Sequence, residues 1–332
     1  MRILIFGAGV MGSNLAHIFY RAGKDVTILA RGERYSFLKE NGLVIRHKFA
    51  GKKTDRLKVA DRLGKDDRYD VVFVCVQSTQ IESVLLILAE NVSETMVFVG
   101  NNMDARGVQK ALPQKHVLFA FLNAAGERKG QIVTGISPGG MTIGRTDGRD
   151  EDDAFISSLF AGVKTKLSVN NGMDDWLKAH AAFIMPIVLA CYHTGMQLKE
   201  LKYEESYMGL MADATKEAYV ALMALGYHVP EEEVDYVSVR KRKCIGFYKK
   251  LSRFPSHADI AVAAHARNAK AEMSHILAEI CRLIVRSGIA MPAMEELLLL
   301  DGDRLGVRID TDAPGGKAEE ASQGENRTGE RG

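Results

Sequence analysis

Near the start of this 332-residue sequence, Gly7-Ala8-Gly9-Val10-Met11-Gly12 follows the apolar run Arg2 to Phe6 and opens a helical pattern, Val10 to Ala22. A strand, a glycine turn and a helix in that order can press backbone N–H groups against a phosphate. Gly7 permits the tight turn, Gly9 lets the backbone approach a pyrophosphate, and Gly12 lets the helix pack closely on the strand. The spacing predicts a dinucleotide cradle built from Gly7, Ala8, Gly9, Val10, Met11 and Gly12. The end of the second apolar run, Asp25 to Ala30, selects the form of the dinucleotide. A carboxylate there would hold the ribose hydroxyls of NAD; this sequence has Arg31, whose guanidinium can grip a 2′-phosphate. The expected cofactor is therefore NADP(H), with Glu33 close by as the one opposing charge. The blander alternatives are a glycine-rich turn without a ligand and a solvated loop arginine.

Other residues could act on a bound substrate. Lys178 stands in the first turns of a helix that becomes apolar all round, Ala181-Ala182-Phe183-Ile184-Met185. A lysine there can protonate a carbonyl oxygen and stabilise a developing alkoxide, or simply pair with Asp174 one turn earlier. Glu272 borders the apolar stripe Met273, Ile276, Leu277, Ile280, Leu283, Ile284. It can orient Lys178, bind a hydroxyl, or remain a solvated edge residue. Asn101 and Asn102 follow an apolar run at the end where ligands bind in open α/β sheets, although both also suit a turn. Ser256, with Asp259 three residues on, fits a helix N-cap. No histidine or cysteine cluster has metal-ligand spacing, so no metal is expected.

The elements that must position these residues change character along the chain. Up to Ser168, Val117 to Leu122, Gln131 to Gly135 and Met141 to Gly144 read as further strands, and short apolar runs such as Val71 to Val76 and Met96 to Val99 alternate with helical stretches. This is the pattern of a parallel sheet covered on both faces. After the turn Asn170-Asn171-Gly172 the expected elements are helices: Met173 to Thr194, Tyr203 to Leu225, Glu231 to Ser252 and Ser256 to Arg286. The expected fold class is α/β, an N-terminal Rossmann-type parallel sheet (1–169) followed by an all-helical domain for substrate binding and dimerisation (170–312). Residues 313–332 lack Val, Ile, Leu, Met and aromatics, and are expected to be a disordered tail.

Composition narrows the class. The apolar fraction is 46%, the charged fraction 26% and the net charge +2, so neither nucleic acid nor an anionic membrane is an expected partner. The basic run Arg240 to Lys243 is expected to be a solvated helix face. Cys75, Cys191, Cys244 and Cys281 form no Cys-x-x-Cys pair, and the apolar N-terminus runs at once into glycine. Reduced thiols, no signal peptide and no span of bilayer length give a cytoplasmic expectation.

The sequence resembles the ketopantoate reductase family (2-dehydropantoate 2-reductases). The residues that carry the resemblance are Gly7-Ala8-Gly9, Val26-Thr27-Ile28-Leu29 with Arg31, Val76-Gln77-Ser78-Thr79-Gln80, Gly100-Asn101-Asn102-Met103 and Trp176-Leu177-Lys178. A looser likeness extends to Ser256 and Glu272. The resemblance implies NADPH-dependent reduction of a small 2-oxo acid, with Lys178 as proton donor and Glu272 as its catalytic partner. It implies cofactor contacts at Asn101 and near Ala125. Gln77, standing where the family usually has a lysine, joins the cofactor candidates. Lys178, Asn101, Thr194 and Ser256 are the candidate substrate contacts, and a homodimer is left open. Ala182, Pro186 and Thr194 occupy places where the family has asparagines, which turns the expectation toward a substrate other than ketopantoate. An opine-like imine, another hydroxy acid, or a non-catalytic NADP-binding regulator are the alternatives.

Overall fold

The computed structural model describes residues 1–47, 51–136, 139–253, 263–310 and 317–320. Its main sheet joins β1 (Arg2–Phe6), β2 (Asp25–Leu29), β5 (Lys58–Ala60), β6 (Val71–Val74), β7 (Thr95–Val99), β8 (His116–Leu122), β11 (Met141–Gly144) and β12 (Leu167–Val169). Between them in the chain, β3 (Leu43–His47), β4 (Gly51–Asp55), β9 (Ala125–Lys129) and β10 (Ile132–Ile136) form a second sheet. The main sheet runs in the order β12-β11-β8-β7-β6-β1-β2-β5. Six strands from β8 to β5 pair in parallel, and β11 joins β8 antiparallel.

Side chains of β1 show why this sheet is covered on both faces. Ile3 and Ile5 enter one apolar cluster with Leu15 and Phe19 of α1 (Val10–Arg21), while Leu4 and Phe6 enter another with Val84 and Leu88. The helices on the sheet are completed by α2 (Gly32–Asn41), α3 (Ile81–Glu90), α4 (Ala105–Ala111) and α5 (Asp153–Leu159). Strand order reverses at β1, whose neighbours are β2 and β6, so its carboxyl end opens onto the crevice where such sheets hold ligands.

The chain changes from strands to helices at Asn170-Asn171-Gly172. Asn170 Oδ1 accepts the Gly172 N–H at 2.8 Å, and Asn171 Oδ1 accepts that of Arg145 at 3.2 Å. The Arg145 carbonyl accepts the Met173 N–H at 2.8 Å and starts α6 (Met173–His193). Arg145 also bonds Asp147 and Asp152, and it holds the Asp147 carboxyl well below the usual range. Then come α7 (Glu205–Ala224), α8 (Glu231–Val237), α9 (Lys241–Arg253), α10 (Ala264–Asn268), α11 (Lys270–Ser287) and α12 (Pro292–Leu305).

Several expectations are corrected here. The helix expected over Glu231 to Ser252 breaks after Val237, where the Ser238 hydroxyl bonds the Val234 carbonyl and the Arg240 N–H reaches back to Asp235. The one expected from Ser256 is interrupted at Ala269 (φ −126°, ψ 40°), and residues 254–262 lie outside the described residues. The further strand expected over Gln131 to Gly135 is β10, and it lies in the second sheet. Within the tail expected to be without structure, Lys317–Glu320 forms β14, antiparallel to β13 (Val307–Asp310). The rest of that tail lies outside the described residues. Among the described residues, no helix is long and apolar enough to cross a membrane.

Candidate active site

Backbone geometry explains each glycine of the N-terminal turn. Gly7 has φ +112°, and a Cβ on it would stand 2.5 Å from the Cys75 carbonyl oxygen of the neighbouring strand segment. A Cβ on Gly12 would lie 1.9 Å from the Gly7 carbonyl, so only glycine lets α1 approach this closely. Gly9 is different: nothing lies within 4 Å of where its Cβ would be. Two glycines serve packing, and the third keeps a space open at the N-terminus of α1. No side chain caps that terminus and no acidic residue stands in its first turn, leaving its N–H groups free for an anion. The fit to a dinucleotide phosphate rests on this open space.

Arg31 is exposed at the end of β2 and starts α2, within reach of solvent beside the turn. Arg34, three residues on, was not singled out from the sequence. It is buried, and its guanidinium bonds the carbonyls of Ala8 and Gln131 and the Ser13 hydroxyl. The glycine turn, α1 and the residue before β10 are thereby tied together. Loss of solvent, with Arg128 nearby, pulls Arg34 down to about 10. Nothing in its spacing separates Arg34 from a surface arginine, because its burial depends on the second sheet folding over α2.

The ends of β6 and β7 bring in residues from distant parts of the chain. After β6, the Gln77 N–H bonds Gln80 Oε1 at 3.2 Å. Glu272, near the start of α11, reaches across and accepts the Ser78 N–H at 3.1 Å; His265 Nε2 is 3.6 Å from its other oxygen. After β7, Gly100 takes φ +124° and Asn101 is half-buried. Asn102 is buried, its Oδ1 accepts the Asp104 N–H, and its Nδ2 has no partner. Ala125 opens β9, paired through its backbone with Ile136; a Cβ on the adjacent Gly126 would lie 3.2 Å from Val10 of the turn. The sequence candidates Gly7 to Gly12, Arg31, Gln77, Asn101, Ala125 and Glu272 thus gather at the carboxyl ends of the strands.

Lys178 departs from expectation. It is buried, and its ammonium bonds Asp174 one turn earlier, rather than Glu272. The second Asp174 oxygen takes Arg106 Nε at 3.0 Å, and the Tyr227 ring centroid lies 4.8 Å from Lys178 Nζ. The i,i+4 spacing on α6 places a carboxylate within reach of the lysine, while Glu272 is occupied at Ser78. Ala182 and Pro186, where the resemblance would place asparagines, are both buried on α6. Thr194 caps the far end of α6 and bonds back to the Ala190 carbonyl. Sixteen residues of helix separate it from Lys178, about 24 Å, so the two do not share one small substrate. Ser256 lies outside the described residues.

Residues 3–148 match the model of the family described as Ketopantoate reductase PanE/ApbA. Over those residues the chain is similar to the ketopantoate reductase family. A curated relative, 2-dehydropantoate 2-reductase of Archaeoglobus fulgidus, is 27% identical over 194 residues, which is 57% of this chain and 64% of that protein. The chain thus spans under two thirds of the length of the curated relatives first matched. Among solved structures, D-mandelate dehydrogenase with NADH and anilino(oxo)acetate is similar with a TM-score of 0.74 at 16% identity, covering 93% of this chain and all of that one. The PanE/ApbA family ketopantoate reductase of Ralstonia eutropha gives 0.71 at 20% identity, with 92% of this chain and 99% of that one covered. At these identities the structural likeness establishes the ketopantoate reductase fold.

Proposed function

We propose that the protein is an NADPH-dependent reductase of a small 2-oxo acid, with Lys178 supplying the proton to the carbonyl oxygen. The observation that carries this reading is the open space at Gly9, at the N-terminus of α1, with Arg31 at the end of β2 and no carboxylate in its place. When bound, the dinucleotide supplies the hydride. The turn N–H groups would hold its pyrophosphate and Arg31 its 2′-phosphate. Arg34 keeps the turn in register from below. Asn102 Nδ2, a buried donor without an acceptor, would meet a carbonyl or carboxylate of a bound molecule, since leaving it unmet costs about 1–3 kcal/mol. Glu272 would act from the Ser78 N–H it holds, positioning the segment after β6.

The Asp174 carboxylate holds the Lys178 ammonium one turn back along α6, beside Arg106 of α4. Substrate binding would therefore move the ammonium off Asp174, which retains Arg106 as its counter-ion. Ala182 and Pro186 offer no polar contact, and this favours a 2-oxo acid other than ketopantoate, or an imine, within the same reaction class. The test is to measure NADPH and NADH affinity, then follow NADPH oxidation against a panel of 2-oxo acids. Preferential NADPH binding with oxidation by at least one acid is expected. Tight binding without oxidation by any acid or imine would replace this reading with that of a cofactor-binding regulator.

A further inference from the structure

Trp176, His180 and Phe183 recur at four- and three-residue intervals and share one face of α6. Lys178, two positions from Trp176 and His180, projects about 200° away around the helix. The Trp176, His180 and Phe183 face lines a cavity of about 320 Å³, bordered also by Tyr219 of α7 and by Glu233 and Tyr236 of α8. The size falls within the range of small-molecule sites. Neither the glycine turn nor Lys178 contributes to it.

Its chemistry is one-sided. The His180 ring stacks on Trp176 at 5.0 Å with the planes 6° apart, and Phe121 lies 4.2 Å from it. Burial pushes this imidazole down to about 4, so it carries no charge at neutral pH. Arg240, at the edge of the cavity, has its own carboxylate, Asp235, at 3.7 Å. The Glu233 carboxylate faces the cavity with one oxygen accepting the Tyr219 hydroxyl at 3.1 Å. Burial raises its pKa, so a nearby cation would favour its ionised form. Exposed Glu232 adds negative charge at the rim. Aromatic walls with a half-buried carboxylate attract an ammonium group through both ring quadrupoles and Coulomb attraction, and repel a carboxylate.

We propose that this cavity binds a small organic cation, an ammonium group carried on an aromatic ring, seated among Trp176, Phe183 and Tyr236 against the Glu233 carboxylate. The site is separate from the reductase chemistry and does not depend on it.

Trp176 is the only tryptophan in the chain, so its fluorescence reports directly on the cavity. The probe is benzyltrimethylammonium, with benzoate and benzyl alcohol as the anionic and neutral counterparts of the same ring. The wild-type protein should show saturable binding of the cation by fluorescence, or by calorimetry if emission does not change. Benzoate and benzyl alcohol should bind at least about tenfold more weakly. Glu233→Gln keeps an acceptor for Tyr219 and should keep the melting temperature, yet weaken the cation about tenfold or more. No saturable binding of the cation, equal binding of benzoate or benzyl alcohol, or an unaltered affinity in Glu233→Gln would each overturn the proposal. NADPH affinity, measured on the same samples, should be the same in wild type and Glu233→Gln. Failure of the cation site with NADPH binding intact leaves the reductase reading standing, and the reverse result separates the two equally well.

Discussion

The glycine turn and helix α6 carry the residues of the proposed reduction, and they are built on different principles. At the turn, function depends on what is missing. Gly7 and Gly12 have no room for a side chain, and Gly9 has room that a ligand can use. On α6, function depends on which way side chains point, and two faces compete. The Lys178 face is buried against Asp174 and Tyr227, whereas the Trp176–His180 face lines a cavity. A backbone cradle tolerates divergence elsewhere in the chain. A side-chain site depends on every neighbour its helix face presents, and around Lys178 the buried Ala182 and Pro186 present no polar group.

The difference can be broken most sharply at Lys178. Lys178→Ala should abolish turnover, by about 10²–10⁴-fold or more, while leaving NADPH affinity in place. Truncating one member of a buried pair also destabilises by about 3–5 kcal/mol, so rates must be normalised to the folded fraction. Unchanged turnover per folded molecule would reduce Lys178 to a structural partner of Asp174. At the turn, Gly12→Ala should lose both stability and cofactor binding, because its Cβ would meet the Gly7 carbonyl oxygen. Gly9→Ala should leave the melting temperature nearly unchanged, within about 0.5 kcal/mol of stability, and still weaken NADPH. Equal damage to folding by the two substitutions, seen by thermal denaturation, would contradict the division of roles among the glycines.

Smaller effects sharpen the comparison. Arg31→Ala should weaken NADPH by about tenfold or more, the scale of a charge-assisted hydrogen bond, and leave NADH unchanged. A parallel loss for both dinucleotides would remove Arg31 from the 2′-phosphate. The smallest effect concerns the join between the two regions. The Arg145 hydrogen bond, first, and that of Arg149 hold the Asp147 carboxyl low; Asp152, despite a burial that would raise it, is also held below its usual range by Arg145 and His116. A carboxyl lowered on folding stabilises the fold above its unfolded pKa, about 3.9, and loses that contribution as pH falls through the folded value. Denaturant titrations should show stability declining below about pH 4, and Arg145→Met should flatten that decline. An unaltered pH profile in Arg145→Met would count against the Arg145 network.

Legibility in the sequence followed the same division. The glycine turn, Arg31 and the parallel strands were readable because local spacing and turn chemistry determine them. Asn101 and Glu272 reach the same end of the sheet through the resemblance, since nothing local in residues 194 apart announces the Ser78–Glu272 bond. Arg34 was unreadable because its burial needs β10, a strand of the second sheet nearly a hundred residues away. The i,i+4 spacing offered Asp174 as a partner for Lys178, whereas the Tyr227 ring over its ammonium comes from a loop beyond α7 that no local spacing announces. Thr194 matched a position in sequence but sits at the other end of a helix of 21 residues.

The central claim is that the turn and Lys178 serve one reduction. Following NADPH oxidation by wild-type and Lys178→Ala protein against a panel of 2-oxo acids, with cofactor affinity measured in parallel, tests it most directly. Oxidation by the wild type with at least one acid, none by the variant, and equal NADPH affinity in both are expected. Oxidation at the same rate by both proteins, or no NADPH binding by the wild type, would contradict it.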